Sequence, residues 1–116
     1  MEEDENFQTF LDMFELMQNQ SRTQIINPER IKEMESAYKA LSKIVLDVDP
    51  DAKIYCKMHE TNAGNGVIRI ETDELVVDNV KEFIKGIENA SNFEIYTLKN
   101  GKIKIAVMFY GIMKEL

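Results

Sequence analysis

The residues of this chain that could do chemistry are few and stand apart. Three aspartates, Asp47, Asp49 and Asp51, alternate after an apolar run and could bind a divalent cation. In a calcium-binding loop counted from Asp47, however, glycine is needed where Ala52 stands and glutamate is needed where Met58 stands. We therefore interpret these acids as turn-forming residues that end a helix.

The only histidine, His59, and the only cysteine, Cys56, are the other candidates for catalysis. A single histidine forms neither a two-histidine relay nor a histidine-rich metal site. The two residues are an odd number of positions apart on one predicted strand, so their side chains point to opposite faces and form no dyad. The glycine-rich segment 64–66 precedes a strand rather than a helix, which indicates a hairpin link and not a phosphate-binding loop. We expect no catalytic residue, no cofactor and no bound metal.

The composition is that of a small acidic globular domain. The chain has 116 residues, of which 44% are hydrophobic and 30% charged, and its net charge is −7. This length predicts a single domain, with an N-terminal helix and link at 1–26 and a core at 27–116. The acidic N-terminus and the lone cysteine favour a cytoplasmic protein without a secretory signal or a disulfide. No apolar stretch approaches the roughly 20 residues that cross a bilayer.

Three helices are predicted from apolar residues that recur at helical spacing. The first spans about residues 4–18, and a polar link follows it. The second has the clearest start, because Asn27 can cap it and Pro28 suits the first helical position. It runs to about Leu46. The third can be capped by Asp78 and is expected to end near Ala90.

Four strands are predicted as two hairpins, at about residues 52–59 with 67–71 and 93–99 with 102–110. Asn100-Gly101 suits a two-residue type I′ turn, which would set Leu98 opposite Ile103 and Tyr96 opposite Ile105. Strands joined by short links favour an antiparallel sheet with the helices packed on it. The predicted fold class is therefore α+β, in the order α-α-β-β-α-β-β.

Lys99, Lys102 and Lys104 would form a small basic tip on the second hairpin. With the register just given, no aromatic residue shares their face near the turn, so base stacking is not expected. The negative net charge of the chain also repels nucleic acid and anionic membranes. We therefore expect neither of them to be a partner.

The surplus of apolar residues points to protein–protein interaction. We expect a non-enzymatic binding or assembly module that forms a homodimer and buries apolar surface. The candidate interaction surface combines one side of the first helix with part of the second sheet face: Phe7, Phe10, Phe14, Met17, Phe93, Ile95 and Met108.

Two alternatives come from other functional classes. One is a small enzyme or ligand-binding domain with a pocket between the helices and the sheet, lined by Tyr38, Tyr55 or Tyr96. The other is an acidic decoy that occupies a nucleic-acid-binding protein with its carboxylates. The second alternative needs acids concentrated on one face, whereas the sequence spreads them over every segment.

Overall fold

The computed structural model describes residues 5–76, 78 and 80–116, so the predicted helix start at residue 4 lies outside the described residues. Over the described residues the fold is α+β, as predicted. The elements in chain order are α1 (Glu5–Gln20), β1 (Gln24–Ile26), α2 (Pro28–Val48), β2 (Lys53–Met58), β3 (Gly66–Thr72), α3 (Val80–Ile87), β4 (Asn92–Thr97), β5 (Ile103–Phe109) and β6 (Met113–Glu115). No helix in these ranges is long and apolar enough to cross a membrane.

The second helix begins where its sequence signal placed it. Asn27 has the extended backbone of a capping residue and Pro28 follows as the first helical residue, although the Asn27 side chain makes no capping hydrogen bond. The periodic apolar residues of α2 are buried, as a continuous seam, against the sheet. They are Ile31, Met34, Ala37, Tyr38, Leu41 and Val45. α3 ends at Ile87 rather than near Ala90.

The main sheet has four antiparallel strands in the order β2-β3-β5-β4. Alternation along the strands gives it two distinct faces. The helix face carries the residues that pack with all three helices, among them Ile54, Ile70 and Ile105. The open face carries their sequence neighbours, among them Tyr55 and Arg69. Strand β4 pairs only with β5 and strand β2 pairs only with β3, so these two strands form the edges of the described sheet.

Two glycines allow helices to lie close to their neighbours. A Cβ atom on Gly66 of β3 would stand 2.8 Å from Cζ of Phe10 and 2.9 Å from Sδ of Met34. A Cβ atom on Gly86 of α3 would stand 2.7 Å from the side chain of Leu41 in α2. Contacts this short would force the neighbouring side chains to shift. The lack of a side chain at Gly66 therefore lets Phe10 of α1 and Met34 of α2 lie close to β3, and the lack of one at Gly86 lets α3 lie close to α2.

A second sheet, of two strands, was not predicted. β1 and β6 pair antiparallel, with Ile25 opposite Lys114. The segment that forms β1 was interpreted as part of the link within residues 1–26, and the segment that forms β6 lies beyond the last predicted strand, which ended near residue 110. Strands of three residues are too short to show a period in the sequence, and their pairing joins opposite ends of the chain.

The register of the second hairpin was predicted wrongly by one residue. Thr97 lies opposite Ile103, and the N–H of Leu98 donates to the carbonyl of Lys102 at 2.7 Å. Gly101 has a φ of +86°, whereas Asn100 does not have the positive φ that a type I′ turn requires. The turn is therefore a three-residue loop in which glycine has a left-handed backbone conformation. The Asn-Gly dipeptide is compatible with this loop as well as with a type I′ turn.

Candidate interaction surface

The structure corrects the prediction that α1 offers an apolar surface to a partner. Phe7, Phe10 and Phe14 are buried within the chain itself, and Met17 packs half-buried against the same core. The ring of Phe10 lies 4.9 Å from that of Phe14, and the ring of Phe7 lies 5.8 Å from that of Tyr38 in α2. The apolar side of α1 is therefore covered by the chain's own core.

The other half of the predicted surface is divided by the register of the hairpin. A slip of one residue moves every side chain of a strand to the opposite face. Phe93 and Ile95 consequently lie on the helix face, whereas Met108 lies on the open face in a small buried cluster with Val67 and Ala106. The three residues predicted to act together do not share a face.

Strand β4 is the most exposed strand of the main sheet. All of its residues except Phe93 are exposed, including Ile95 (46%) and Tyr96 (42%). Phe93 is held by Phe83 of α3, whose ring lies 5.9 Å away in an edge-to-face arrangement. Ile95, two residues further along the same face, stays half uncovered by α3.

The backbone of β4 also presents polar groups outward. Hydrogen-bonded and non-bonded pairs alternate along an antiparallel ladder. Because Leu98 is bonded to Lys102 of the neighbouring strand, the N–H and C=O groups of Ile95 and Thr97 and the C=O group of Phe93 point away from β5 without a partner in the sheet. The N–H of Phe93 also faces away from β5, but it donates to Oδ1 of Asn92 at 2.8 Å. The groups without a partner in the sheet are the hydrogen-bonding edge that another strand could extend.

Helix α3 places more apolar surface beside this edge. Val80 (58% exposed) and Ile84 (48% exposed) lie one turn apart on α3. Helical geometry puts them roughly 120 to 160° around the helix from Gly86, which contacts Leu41 of α2. They therefore lie on the side of α3 that faces away from α2. We call Val80, Ile84 and Ile95 the apolar shelf.

The opposite edge of the sheet is protected. The side chain of Asn6 in α1 donates to the backbone carbonyl of Ile54 in β2 at 3.1 Å. Lys53 and Lys57 stand on the same strand, and lysines on an edge strand discourage pairing with other chains. β4 contains one charged residue, Glu94, and no lysine or proline. The two edges therefore differ in the features that block strand addition.

The start of β4 is held in place by Arg30 of α2. Its guanidinium donates to the carbonyls of Asn89 (2.6 Å) and Tyr110 (2.8 Å) and to the hydroxyl of Ser91 (2.6 Å). The same group stacks on the ring of Phe109, 4.9 Å from its centroid. This planar fork fixes the segment before β4 against the helix layer, so the edge is presented by a rigid support.

The open face is rich in cations although the chain is acidic. Its four cations are Lys53, Lys57, Arg69 and Lys104, and its two carboxylates are Glu71 and Glu94. Glu60 reaches this face and forms ion pairs with Lys57 (3.2 Å) and Arg69 (3.3 Å).

Tyr96 shares the open face with Lys104, whose Nζ lies 5.9 Å from its ring centroid. The prediction that no aromatic residue shares a face with the lysines of the second hairpin, which was one argument against base stacking, was therefore wrong. The repulsion expected from a net charge of −7 is unaffected.

The residues considered for catalysis do not converge. Tyr38 is buried among the helices, whereas Tyr55 and Tyr96 lie on the opposite side of the sheet and on different edge strands. The three tyrosines therefore do not line one pocket between the helices and the sheet. Among the described residues, no group of three or more histidine, cysteine or acidic side chains is arranged to hold a metal ion.

Asp49, the first of the acids that follow α2, forms hydrogen bonds that connect two elements of the fold. The carboxylate of Asp49 accepts hydrogen bonds from the backbone N–H of Asp73 (2.9 Å), the hydroxyl of Thr72 (2.8 Å) and the N–H of Asp51 (3.1 Å). These bonds, led by that from the Asp73 backbone, lower the pKa of Asp49 below its ordinary value of 3.8. Asp49 thereby ties the end of α2 to the end of β3.

Sequence reasoning found Ile95 but missed its partners on the surface, Val80 and Ile84. The helical spacing that predicts α3 places both on one apolar face with Phe83 and Ile87. Gly86 lies close to Leu41, so the side of α3 that carries Gly86 faces α2. The side that carries Val80 and Ile84 is therefore left exposed. A glycine in the middle of a short amphipathic helix was the available signal.

Comparison of the chain with protein-family models, curated proteins and solved structures gave no match.

Proposed function

We propose that this chain is a non-enzymatic protein-interaction module that binds another polypeptide by strand addition at the edge of β4. The observation that supports it is the contrast between the two sheet edges. β2 is blocked by Asn6 and by lysines, whereas β4 presents backbone groups beside the apolar shelf. Natural sheets usually protect an edge that has no partner.

Two kinds of interaction would contribute to binding. An added strand would take up the outward N–H and C=O groups of β4, as in other cases of β-augmentation. It would also cover the half-exposed side chains of the apolar shelf. Burying the remainder of these three side chains contributes roughly 2 to 4 kcal/mol in total, at about half the value for a fully exposed residue. The backbone bonds give affinity, and the shelf and Glu94 give specificity.

A role without catalysis is part of the proposal. It is supported by the separation of Tyr38, Tyr55 and Tyr96 and by the engagement of Asp49 in hydrogen bonds between α2 and β3. We further propose that the module acts in the cytoplasm, where its lone Cys56 would remain reduced.

The test compares matched substitutions on the two edge strands. Ile95→Lys places a charge at the centre of the β4 edge, and Tyr55→Lys places one on β2. Both positions are partly exposed, so both variants are expected to keep the thermal stability of the parent protein. Tagged protein and the two variants are incubated with extract of the source cells, and bound proteins are quantified by mass spectrometry.

Any protein recovered with the parent chain and with Tyr55→Lys is expected to be lost with Ile95→Lys. Its direct binding is then checked by hydrogen exchange of the β4 amides. The amides of Ile95 and Thr97, which have no partner in the sheet, should exchange quickly in the isolated monomer and slowly in the complex. Binding that survives Ile95→Lys, or that leaves these amides unprotected, would exclude strand addition at β4.

A further inference from the structure

We infer that the polypeptide added at β4 is a second copy of this chain, paired antiparallel about a two-fold axis at Ile95. This inference rests on the proposed function and names the partner for the same edge. An antiparallel pair of identical strands has two-fold symmetry, so one patch of each copy meets the same patch of the other. The question is whether β4 is complementary to itself.

Backbone geometry leaves three central registers. The outward-pointing backbone groups belong to odd-numbered residues of β4. Odd-numbered residues must therefore lie opposite odd-numbered residues of the second copy. Near the middle of β4, this condition is met when the two-fold axis passes through Glu94, Ile95 or Tyr96. An axis at Glu94 sets two carboxylates directly opposite each other, which is destabilising. An axis at Tyr96 sets each carboxylate opposite the apolar, half-buried Leu98. An axis at Ile95 avoids both.

The register centred on Ile95 is complementary in charge. It places Glu94 of each copy opposite Tyr96 of the other, on the open face. Tyr96 is the neighbour of Lys104 in the sheet, with its ring 5.9 Å from the Lys104 Nζ. The only carboxylate of the edge strand therefore meets a phenol hydroxyl and, beside it, an ammonium group. The two junctions are equivalent by symmetry, so neither copy leaves Glu94 facing a like charge.

The same register is complementary in apolar surface. The side chains of Ile95 from the two copies meet on the helix face, with Phe93 of each copy opposite Thr97 of the other. Because residues directly opposite share a face, both α3 helices lie on the same side of the junction. The exposed Val80 and Ile84 of each copy are then carried by the helix nearest to the axis. The product is a continuous eight-stranded sheet with all helices on one face.

Cysteine cross-linking distinguishes the three registers. In a Cys56→Ser background, a cysteine at the axial position lies opposite the same residue of the second copy. The Cα separation is about 5.5 Å for an axis at Ile95 and about 4.5 Å for an axis at Glu94 or Tyr96, and a disulfide can bridge both distances. We expect Ile95→Cys to form a covalent dimer on mild oxidation. We also expect an equimolar mixture of Glu94→Cys and Tyr96→Cys to cross-link, with each of the two variants alone giving far less product. Tyr55→Cys, on the opposite edge, is the matched control and should stay monomeric under denaturing conditions.

Other cross-linking patterns would overturn the inference. Efficient dimers of Glu94→Cys alone or of Tyr96→Cys alone would place the axis at those residues. Efficient dimers of Tyr55→Cys would place the contact at β2. Light scattering during gel filtration measures the mass without oxidation, and the parent chain is expected to be dimeric whereas Ile95→Lys is expected to be monomeric.

Failure of the inference and failure of the proposed function give different results. A parent chain that is monomeric at every concentration, but binds another protein in a manner lost with Ile95→Lys, would refute the second copy and leave strand addition intact. A dimer whose mass is unchanged by Ile95→Lys, together with no partner that depends on Ile95, would refute both.

Discussion

Replacing Gly66 by alanine tests where α1 lies. The Cβ of Gly66→Ala would stand 2.8 Å from Cζ of Phe10 and 2.9 Å from Sδ of Met34, and both side chains are almost fully buried. Alanine in a strand gains about 0.5 to 1 kcal/mol over glycine because it loses less entropy on folding. Overpacking costs about 1 to 3 kcal/mol, and contact with two buried side chains favours the upper part of that range.

The net effect expected for Gly66→Ala is therefore a loss of about 2 kcal/mol in the free energy of unfolding. For a domain of this size the Tm would fall by roughly 8 °C, at about 4 °C per kcal/mol. Urea denaturation at constant pH, followed by circular dichroism, measures the free energy directly, and calorimetry gives the Tm.

The matched control is Gly64→Ala, in the link before β3, where a Cβ atom would meet its nearest neighbour, Oδ1 of Asn62, at 3.3 Å. This variant is expected to change the free energy of unfolding by less than about 0.5 kcal/mol. In a Met34→Ala background, Gly66→Ala should cost less than in the parent chain, because the contacts with Met34 are removed and Phe10 gains room to shift. If Gly66→Ala is neutral or stabilising in the parent chain, α1 does not pack its phenylalanines over β3, and the burial of Phe10 described above is wrong.

Three further substitutions test the supports of the edge strand and of the sheet. Arg30→Lys keeps the charge but loses the planar fork, so the free energy of unfolding should fall by roughly 1 to 3 kcal/mol in urea titrations; an unchanged midpoint would show that the fork does not hold β4. Gly101→Ala forces alanine to a φ of +86° and should cost roughly 1 to 2 kcal/mol by the same assay, whereas no cost would contradict the three-residue turn. Asp49→Asn tests pH dependence: because folding lowers the pKa of Asp49, its contribution is present above the ordinary pKa and is lost as pH falls through the folded pKa. The stability difference between the parent chain and Asp49→Asn should therefore shrink as the pH falls below 3.8, and a constant difference would contradict this role.

The elements that the sequence predicted well are those with local signals. The start of α2 follows from Asn27 and Pro28, and its buried seam follows from the spacing of apolar residues. The α+β class follows from the alternation of helical and strand-like periods. These signals lie within a few residues of one another, so no knowledge of the tertiary structure is needed to interpret them.

The register of the β4–β5 hairpin could not be predicted from the same kind of signal. Asn100-Gly101 fits a two-residue turn and also a three-residue loop in which only Gly101 has positive φ. The choice between them decides which face Phe93, Ile95 and Tyr96 occupy. The one extra residue in the loop therefore places the residues of the predicted surface on different faces and Tyr96 beside Lys104.

The buried side of α1 and the pairing of β1 with β6 were missed because both depend on distant parts of the chain. An amphipathic helix shows that it has an apolar side but not what covers that side. Here the cover includes Met34 and Tyr38 of α2, and Gly66 of β3 leaves room for Phe10. An isolated glycine within a strand pattern often marks a close approach, and this was the signal that the sequence offered.

Self-association through the edge of β4 is the central claim, and the molar mass of the chain in solution tests it most directly. Light scattering during gel filtration is recorded for the parent chain, for Ile95→Lys and for Tyr55→Lys over the same range of concentrations. We expect twice the chain mass for the parent protein and for Tyr55→Lys, and the mass of a single chain for Ile95→Lys. A dimer that persists in Ile95→Lys, or one that is lost in Tyr55→Lys instead, would contradict self-association through β4.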